Sequence, residues 1–443
     1  MSRAWIVGGA LRDELLGRPV RDVDIAVAGD PERAARETAA ELRGPVFQLS
    51  GVFGAWRVID RRGGRVFDFS PLQGDTIEDD LARRDFTVNA MARPREGGDL
   101  IDPHGGRADL ESRTLRVLGP QAYETDPLRA LRLVRLAAEL DFTSDPTTES
   151  LTRAAAPRVA DAAGERVFAE LRRLVIAEGV LDGLALADRL GVLASVLPEV
   201  SALHSVEQSH YHHLDVYDHT VEVLSQLMEL ERDVSPRLRS ALDEPLADEL
   251  TRGQALRLGA LLHDIGKPVT REVRDDGRVT FMRHDRIGAE MVRGVCRRLR
   301  TSERLSAFVE ALTRHHLALG FLVHERPLDR RTVYRYLART TPVEIEVTLL
   351  SCADRLATRG RKAEQATEAH LELARELMEA ALDWREQGPP RPPLRGDELA
   401  AELGIPPGPE LGRLLRELTE AAYTGEARTR GEAVELARKL HRG

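Results

Sequence analysis

The order of apolar and polar positions divides the chain into a mixed front and a helical remainder. An apolar run ends at Ile6-Val7, and Leu11 to Leu16 reads as the start of a helix. Asp22-Val23-Asp24-Ile25-Ala26-Val27 reads as a strand on which Asp22 and Asp24, two residues apart, share a face. Arg65 to Ser70 alternates like a half-buried strand. Mixed signals continue to about Ala122, which predicts a head of strands and helices over residues 1–122. From Asp126 the period becomes helical: Leu128, Leu131, Val134 and Leu136 form one apolar stripe, and Val167, Leu171, Leu174 and Val175 another. This second region covers residues 123–203, and a further helical region, 204–387, runs to the Pro-rich break at 388–393. A short helical tail, 394–443, contains an internal turn at Gly404–Pro409. The expected class is α+β, a mixed sheet with helices followed by all-α regions, without solenoid repeats.

The front of the chain carries the first candidate chemistry. Gly8 and Gly9 fall between the apolar run and the helix start, where backbone N–H groups can face an anion, and Arg12 adds a fork of donors. Two carboxylates on one strand face, Asp22 and Asp24, suit Mg²⁺, which brings substrate phosphates with it. Asp68, on the alternating strand, is a candidate third acidic group. Arg83 and Arg84 can meet phosphate. Asp85 and Asn89, four residues apart, would share a helix face and suit ribose hydroxyls. Asp126-Pro127 also fits an ordinary helix start with proline at its first position.

In these segments the chain resembles the class II tRNA nucleotidyltransferase and poly(A) polymerase family, within the polymerase-β-like nucleotidyltransferases. Val7-Gly8-Gly9-Ala10-Leu11-Arg12-Asp13 followed by Asp22-Val23-Asp24 matches its Gly-Gly-x-x-Arg-Asp and Asp-x-Asp pattern. Arg83-Arg84-Asp85-Phe86-Thr87-Val88-Asn89-Ala90 is similar to a segment that in the family holds ribose and triphosphate. Asp102-Pro103-His104-Gly105-Gly106-Arg107-Ala108-Asp109-Leu110 matches a family turn, and Thr125-Asp126-Pro127-Leu128-Arg129-Ala130-Leu131-Arg132 its base-choosing helix. The resemblance makes Asp126 and Arg129 a protein template for the incoming base, with Arg132 beside them in the nucleotide site, and names residues 123–203 the neck. Thr125 replaces the family's glutamate, with Glu124 displaced by one position.

Histidine usage exposes a second centre. Of 13 histidines, only His104, His370 and His441 lie outside the stretch from His204 to His324. Asp218-His219-Thr220, Leu262-His263-Asp264-Ile265-Gly266-Lys267, His284-Asp285-Arg286, His315-His316 and Ala353-Asp354-Arg355 resemble the HD family of metal-dependent phosphohydrolases. The resemblance implies metal ligation by His219, His263, Asp264 and Asp354, with His284, His315 and His316 as candidates for further ligands or phosphate contacts. Mixed imidazole and carboxylate donors favour a transition metal such as Mn²⁺, Fe²⁺, Co²⁺, Ni²⁺ or Zn²⁺.

Composition narrows the setting. A chain of 443 residues suffices for several cores. Two cysteines, Cys296 and Cys352, give no disulfide framework, and no apolar run is long enough to span a bilayer, so a soluble cytoplasmic protein is expected. A net charge of −9 excludes a generally basic nucleic-acid binder. Attraction for RNA would have to be local, along Arg129, Arg132, Arg135, Arg153, Arg158, Arg166, Arg172 and Arg173. Lysine occurs only at Lys267, Lys362 and Lys439, a bias that weakens arguments from arginine alone. The expected enzyme adds CCA, or part of it, to tRNA 3′ ends from CTP and ATP with Mg²⁺, and its HD region is a candidate phosphohydrolase for RNA 3′ ends. A poly(A) polymerase, an A-adding or CC-adding specialist, and an HD phosphohydrolase with a non-catalytic RNA-binding head are the alternatives.

Overall fold

The computed structural model describes residues 3–50, 54–208, 214–358 and 363–442. Two compact units divide the chain, residues 1–196 and 197–443. In the first, β1 (Arg3–Val7), β2 (Asp22–Ala28), β3 (Val46–Ser50), β4 (Ala55–Asp60), β5 (Arg65–Pro71) and β6 (Ala92–Pro94) form one sheet in the order β3-β4-β5-β2-β1-β6. The β2–β5 pair is parallel and the other neighbours are antiparallel, so the sheet is mixed.

Strand β2 is covered on both faces. Val23, Ile25 and Val27 pack with Ala34, Ala35 and Ala39 of α2 (Pro31–Leu42), and with Val58 and Phe69. Ala26 belongs to the opposite cluster with Val7, Ile77, Leu81 and Ala90. Since side chains alternate along a strand, Asp22 and Asp24 lie on the Ala26 face. They occupy the end of the strand before that cluster begins. Helix α1 (Gly9–Leu15) follows β1 directly through Gly8.

Helix α3 (Arg129–Leu140) buries Leu131, Leu133, Val134 and Leu136, and α4 (Gly164–Ile176) packs on it through Val167, Leu171, Leu174 and Val175. Each such leucine removed from water stabilises the unit by roughly 2 kcal/mol. The stripe of α3 is wider than the sequence pattern suggested, because Ala130 and Leu133 are also fully buried.

The second unit is largely helical. Its main elements are α5 (Val216–Arg232), α6 (Arg252–Leu262), α7 (His284–Leu299), α8 (Glu303–His315), α9 (Glu344–Ala357) and α10 (Ala363–Gln387). Among the described residues two short antiparallel hairpins interrupt the expected all-helical region, one of them β7 (Arg271–Val273) with β8 (Val279–Phe281). Asp276-Gly277 makes that turn, with Gly277 at φ +78, a strong hairpin signal between residues of high strand propensity. The C-terminal helices Gly396–Leu403, α11 (Pro409–Thr424) and α12 (Arg430–Arg442) share a cluster around Leu399, Leu414, Leu418 and Ala433. Among the described residues no helix is long and apolar enough to cross a membrane.

Candidate active site and metal centre

A cavity of about 650 Å³ in the first unit is lined by Gly8, Gly9, Arg12, Asp22, Asp24, Arg84, Asp85, Asn89, Arg129 and Arg132. Local geometry fixes each. Gly8 sits at φ +69, a conformation that favours glycine, and it leaves room for the Arg84 guanidinium, whose Nη1 would lie 2.9 Å from a Cβ there. Arg12 donates to Asn89 Oδ1 at 2.8 Å and forks onto Asp13 at 2.9 and 3.0 Å. Arg84 is anchored on Asp80 Oδ2 at 2.8 and 3.1 Å. Asp85 accepts from Asn89 Nδ2 at 2.9 Å, from the Phe86 N–H at 2.8 Å and from Arg132 Nη1 at 3.1 Å. Burial opposes ionisation of Asp85, but Arg132 and these hydrogen bonds outweigh it and lower its pKa.

The segment holding Asp85 and Asn89 is no α-helix. Phe86 is extended and bridges Val117, and only Thr87–Asn89 form a 3₁₀ turn. Strand-like bonds, Thr87 N–H to Arg116 O and Leu118 N–H to Asp85 O, override the local helical spacing. The two side chains nevertheless meet.

Asp68 stands in register beside Asp24 across the β2–β5 pair. Both its oxygens accept from Arg57, at 2.7 Å each, and of the three strand carboxylates Asp22 and Asp24, not Asp68, line the cavity. Protein crowded around Asp24 raises its pKa, Arg84 opposing and Asp68 and Asp22 reinforcing, although the carboxylate remains open to solvent. A site that disfavours its own negative charge suits a divalent cation, and the oxygen-only donor set fits Mg²⁺.

Asp126 is placed apart from the cavity lining. Its Oδ2 accepts from Arg166 at 2.6 Å, and its Oδ1 from the Leu128 N–H at 3.3 Å. Arg129 donates to the carbonyls of Arg84 and Arg83, both at 2.9 Å, so it ties α3 to the Arg83-Arg84 segment. The arginine stripe is largely neutralised. Arg132 and Arg135 pair with Glu170, Arg135 and Arg173 with Glu139, Arg166 with Asp126, and Arg153 with Glu149. The carboxylates come from other turns or helices, which a one-sided count of arginines does not register.

In the second unit, His219 on α5, His263 at the end of α6 and Asp354 on α9 bring donor atoms within 4.8 Å of one another, as do Asp264, His284 and His316. His263, His284 and His316 share one device: each Nδ1 lies 2.7–2.8 Å from the backbone carbonyl three residues earlier. A carbonyl only accepts, so Nδ1 carries the proton and Nε2 presents a lone pair. His284 Nε2 and His316 Nε2 face each other at 3.2 Å, an arrangement that calls for a cation between them. Asp264 joins the two groups, with Oδ2 3.1 Å from His263 and Oδ1 3.4 Å from His284. Its two oxygens and His263 Nε2 are buried without a hydrogen bond, and Lys267 Nζ approaches Oδ2 at 2.6 Å without hydrogen-bond alignment. Orphaned buried donors of this kind are what a metal would satisfy. Burial works against Asp264 ionising, yet in the metal-free cluster a protonated His263, whose own pKa Asp264 raises, and Lys267 hold it well below the carboxylate range; a metal would take the place of the His263 Nε2 proton. Burial lowers His316 to about 4, keeping its imidazole neutral.

His315 is not brought into this cluster. Successive residues at the end of α8 diverge, and His316 takes the inward position while His315 Nδ1 is buried without a hydrogen bond. Gly266 lets the His-Asp turn touch α7: a Cβ would lie 2.3 Å from His284 O. Sequence reasoning assigned no role to Arg57, Glu170 or His370, whose Nε2 is 3.2 Å from Ser351 Oγ on the wall of a cavity that the histidine–aspartate cluster also lines. These partners are distant in sequence and carry no local pattern. His210, His212, His213 and Lys362 lie outside the described residues.

Residues 4–116 match the poly A polymerase head domain, 141–203 the probable RNA and SrmB-binding site of polymerase A, and 216–359 the HD domain. The fold matches that of a Thermotoga maritima CCA-adding enzyme complexed with tRNA, at TM-score 0.61 and 23% identity over 99% of this chain and 92% of that one. A CCA-adding enzyme with CTP matches at TM-score 0.65 and 23% identity, over 100% and 92%. Head and HD region together define a nucleotidyltransferase with an appended HD domain. The A-adding tRNA nucleotidyltransferase of Deinococcus radiodurans is 38% identical over 97% of this chain and 94% of that protein. The CC-adding tRNA nucleotidyltransferase of Thermus thermophilus is 36% identical over 97% and 92%. The chain belongs to the tRNA nucleotidyltransferase and poly(A) polymerase family.

Proposed function

We propose that this enzyme adds CCA, or part of it, to tRNA 3′ ends from CTP and ATP, in the cytoplasm, where its two buried, unpaired cysteines stay reduced. The observation that carries the reading is the pair Asp22 and Asp24 facing a cavity walled by Arg12, Arg84, Arg129 and Arg132. Asp22 and Asp24 would hold Mg²⁺, which when bound would supply charge neutralisation for the transferred phosphate. The Gly8 and Gly9 backbone, Arg12 and Arg84 hold the triphosphate. Asp85 and Asn89, fixed by Arg132 and Arg12, set the ribose. Asp126, once turned from Arg166, reads the base edge with Arg129. Asp68, held by Arg57, shapes the field around Asp24. The 3′ hydroxyl displaces pyrophosphate in line: one P–O bond forms, one breaks, and the hydroxyl proton leaves to solvent. Incorporation assays on tRNA lacking CCA and on tRNA lacking only the terminal A, with CTP and ATP given separately and together, test this. Use of CTP alone or ATP alone would make the enzyme a CC-adding or A-adding specialist, and failure to incorporate either nucleotide would overturn the reading.

The residues of the second centre fit a pair of transition-metal ions, one on His219, His263, Asp264 and Asp354 and one on Asp264, His284 and His316. Such ions, of the Mn²⁺, Fe²⁺, Co²⁺, Ni²⁺ or Zn²⁺ kind, supply Lewis acidity toward a phosphoryl oxygen and the attacking water. The reaction class is hydrolysis of a phosphate ester at an RNA 3′ end. For a 2′,3′-cyclic phosphate, water adds to phosphorus, one ring P–O bond breaks, and the freed oxygen takes a proton.

A further inference from the structure

The second cavity, about 950 Å³, extends well beyond the histidine–aspartate cluster. Lys267, Arg283, Arg286, Arg339 and Arg355 line it. The carboxylates facing them are Asp285 and the cluster's own Asp264 and Asp354. Once the latter two are engaged by metal, the remaining wall is strongly positive. The same wall carries exposed apolar surface. Met282 and Phe321 are 63% and 66% exposed, and both line the cavity. Neither contributes to a core at that exposure. Phe281 adjoins Met282, with Lys267 Nζ 5.6 Å from its ring centroid. The chain takes a left-handed turn at Arg283, φ +68, so that His284 enters the cluster while Met282 stays on the wall.

Cations beside a phosphoryl-directed cluster select an anion; an open aromatic ring and a thioether beside those cations select something flat and apolar attached to it. A nucleoside phosphate has both parts, because every base offers a π-face for stacking. We propose that Phe321 and Met282 hold the nucleobase of the ester hydrolysed at the second centre, and so make that centre discriminate nucleoside phosphates from phosphate esters without a base. The inference rests on the phosphohydrolase reading and adds the residues that set its specificity. Phe321 lies on the short helix Ala318–Leu322 and is exposed, so its replacement is not expected to disturb folding.

The test uses the full chain loaded with Mn²⁺, and in separate preparations with Co²⁺ or Ni²⁺. Two substrates share the reacting ring: adenosine 2′,3′-cyclic phosphate, and glycerol 1,2-cyclic phosphate, which has no base. The expected KM is at least tenfold lower for the nucleotide, and Phe321→Ser brings that ratio close to one. Phe321→Tyr, which keeps the ring, restores it. A ratio that persists in Phe321→Ser overturns the proposal, as does a loss that affects both substrates equally. If the wild type hydrolyses neither compound with any of the three metals, the phosphohydrolase reading fails, and binding decides the inference alone. Equilibrium dialysis of adenosine 3′-phosphate would then weaken about tenfold in Phe321→Ser if the base is held there, and an unchanged Kd would overturn it.

Discussion

Asp24 shows how one residue carries both the cost and the use of a site. An aspartate whose pKa is raised in the folded protein favours the native state while protonated, so it withdraws stability as pH rises above the ordinary carboxylate value. Asp24→Asn is therefore expected to raise the melting temperature of the metal-free protein at pH 7–8. The gain should vanish as pH falls toward the unfolded value. Incorporation should be lost in the same variant, and also in Asp22→Ala, because neither replacement gives the cation a charged oxygen. A folded Asp22→Ala, Asp24→Ala double variant that still incorporates nucleotide would remove the head from catalysis. Arg129 belongs to the same scale. Arg129→Ala should reduce discrimination between CTP and ATP more than total turnover, measured by competing nucleotides on one tRNA. Part of the turnover loss should come from the released carbonyls of Arg83 and Arg84. Unchanged preference would leave Arg129 as a tie between segments. Gly8, Gly9, Arg12, Asp22 and Asp24 could be picked out from sequence because turn chemistry and strand alternation are local. The hold of Arg57 on Asp68, and of Arg166 on Asp126, spans 11 and 40 residues and had no local trace.

Between elements, the decisive contact joins α3 and α4 to the Asp85 segment. Arg132 bridges Asp85 and Glu170, and Arg135 meets the other oxygen of Glu170 at 2.5 Å. Removing one member strands a buried charge. Arg132→Ala should cost about 3 kcal/mol, read from urea denaturation at pH 7. The sign of the pH dependence follows from Asp85, whose lowered pKa makes its contribution complete above the ordinary carboxylate value and lost as pH falls through the folded one. The stability gap between wild type and Asp85→Asn should be the same at pH 7 and pH 5 and shrink below about pH 4. A gap that widens with acid would show that Asp85 is not held as the carboxylate. The apolar stripes of α3 and α4 were legible from their period; their charge pairing was not. Spacing suggested a helix at Asp85–Asn89, but Phe86 is drawn into a bridge with Val117, a tertiary demand that local propensity does not report.

At the scale of the molecule, two chemistries occupy two units. The head offers oxygen donors only, within residues 1–196, and the mixed imidazole and carboxylate cluster lies within residues 197–443. The α+β head and helical remainder followed from a change in apolar period, and the histidine-rich stretch marked the second centre. Choosing His316 over His315 required the path of α8. Donor softness predicts that the centres are separable. His263→Ala combined with Asp264→Ala removes one buried imidazole and the carboxylate that joins both donor groups, so elemental analysis after reconstitution with Mn²⁺, Co²⁺ or Ni²⁺ should show near-complete loss of bound transition metal. The change also removes the acceptor facing Lys267, so circular dichroism must first show that the variant remains folded. Hydrolysis of a 2′,3′-cyclic phosphate should disappear with the metal, while nucleotide incorporation with Mg²⁺ continues near the wild-type rate. A wild type that takes up none of these metals would make the cluster a scaffold. A folded, metal-free variant that no longer incorporates nucleotide would instead show that the second unit helps hold RNA for the head, and that the two centres are not independent.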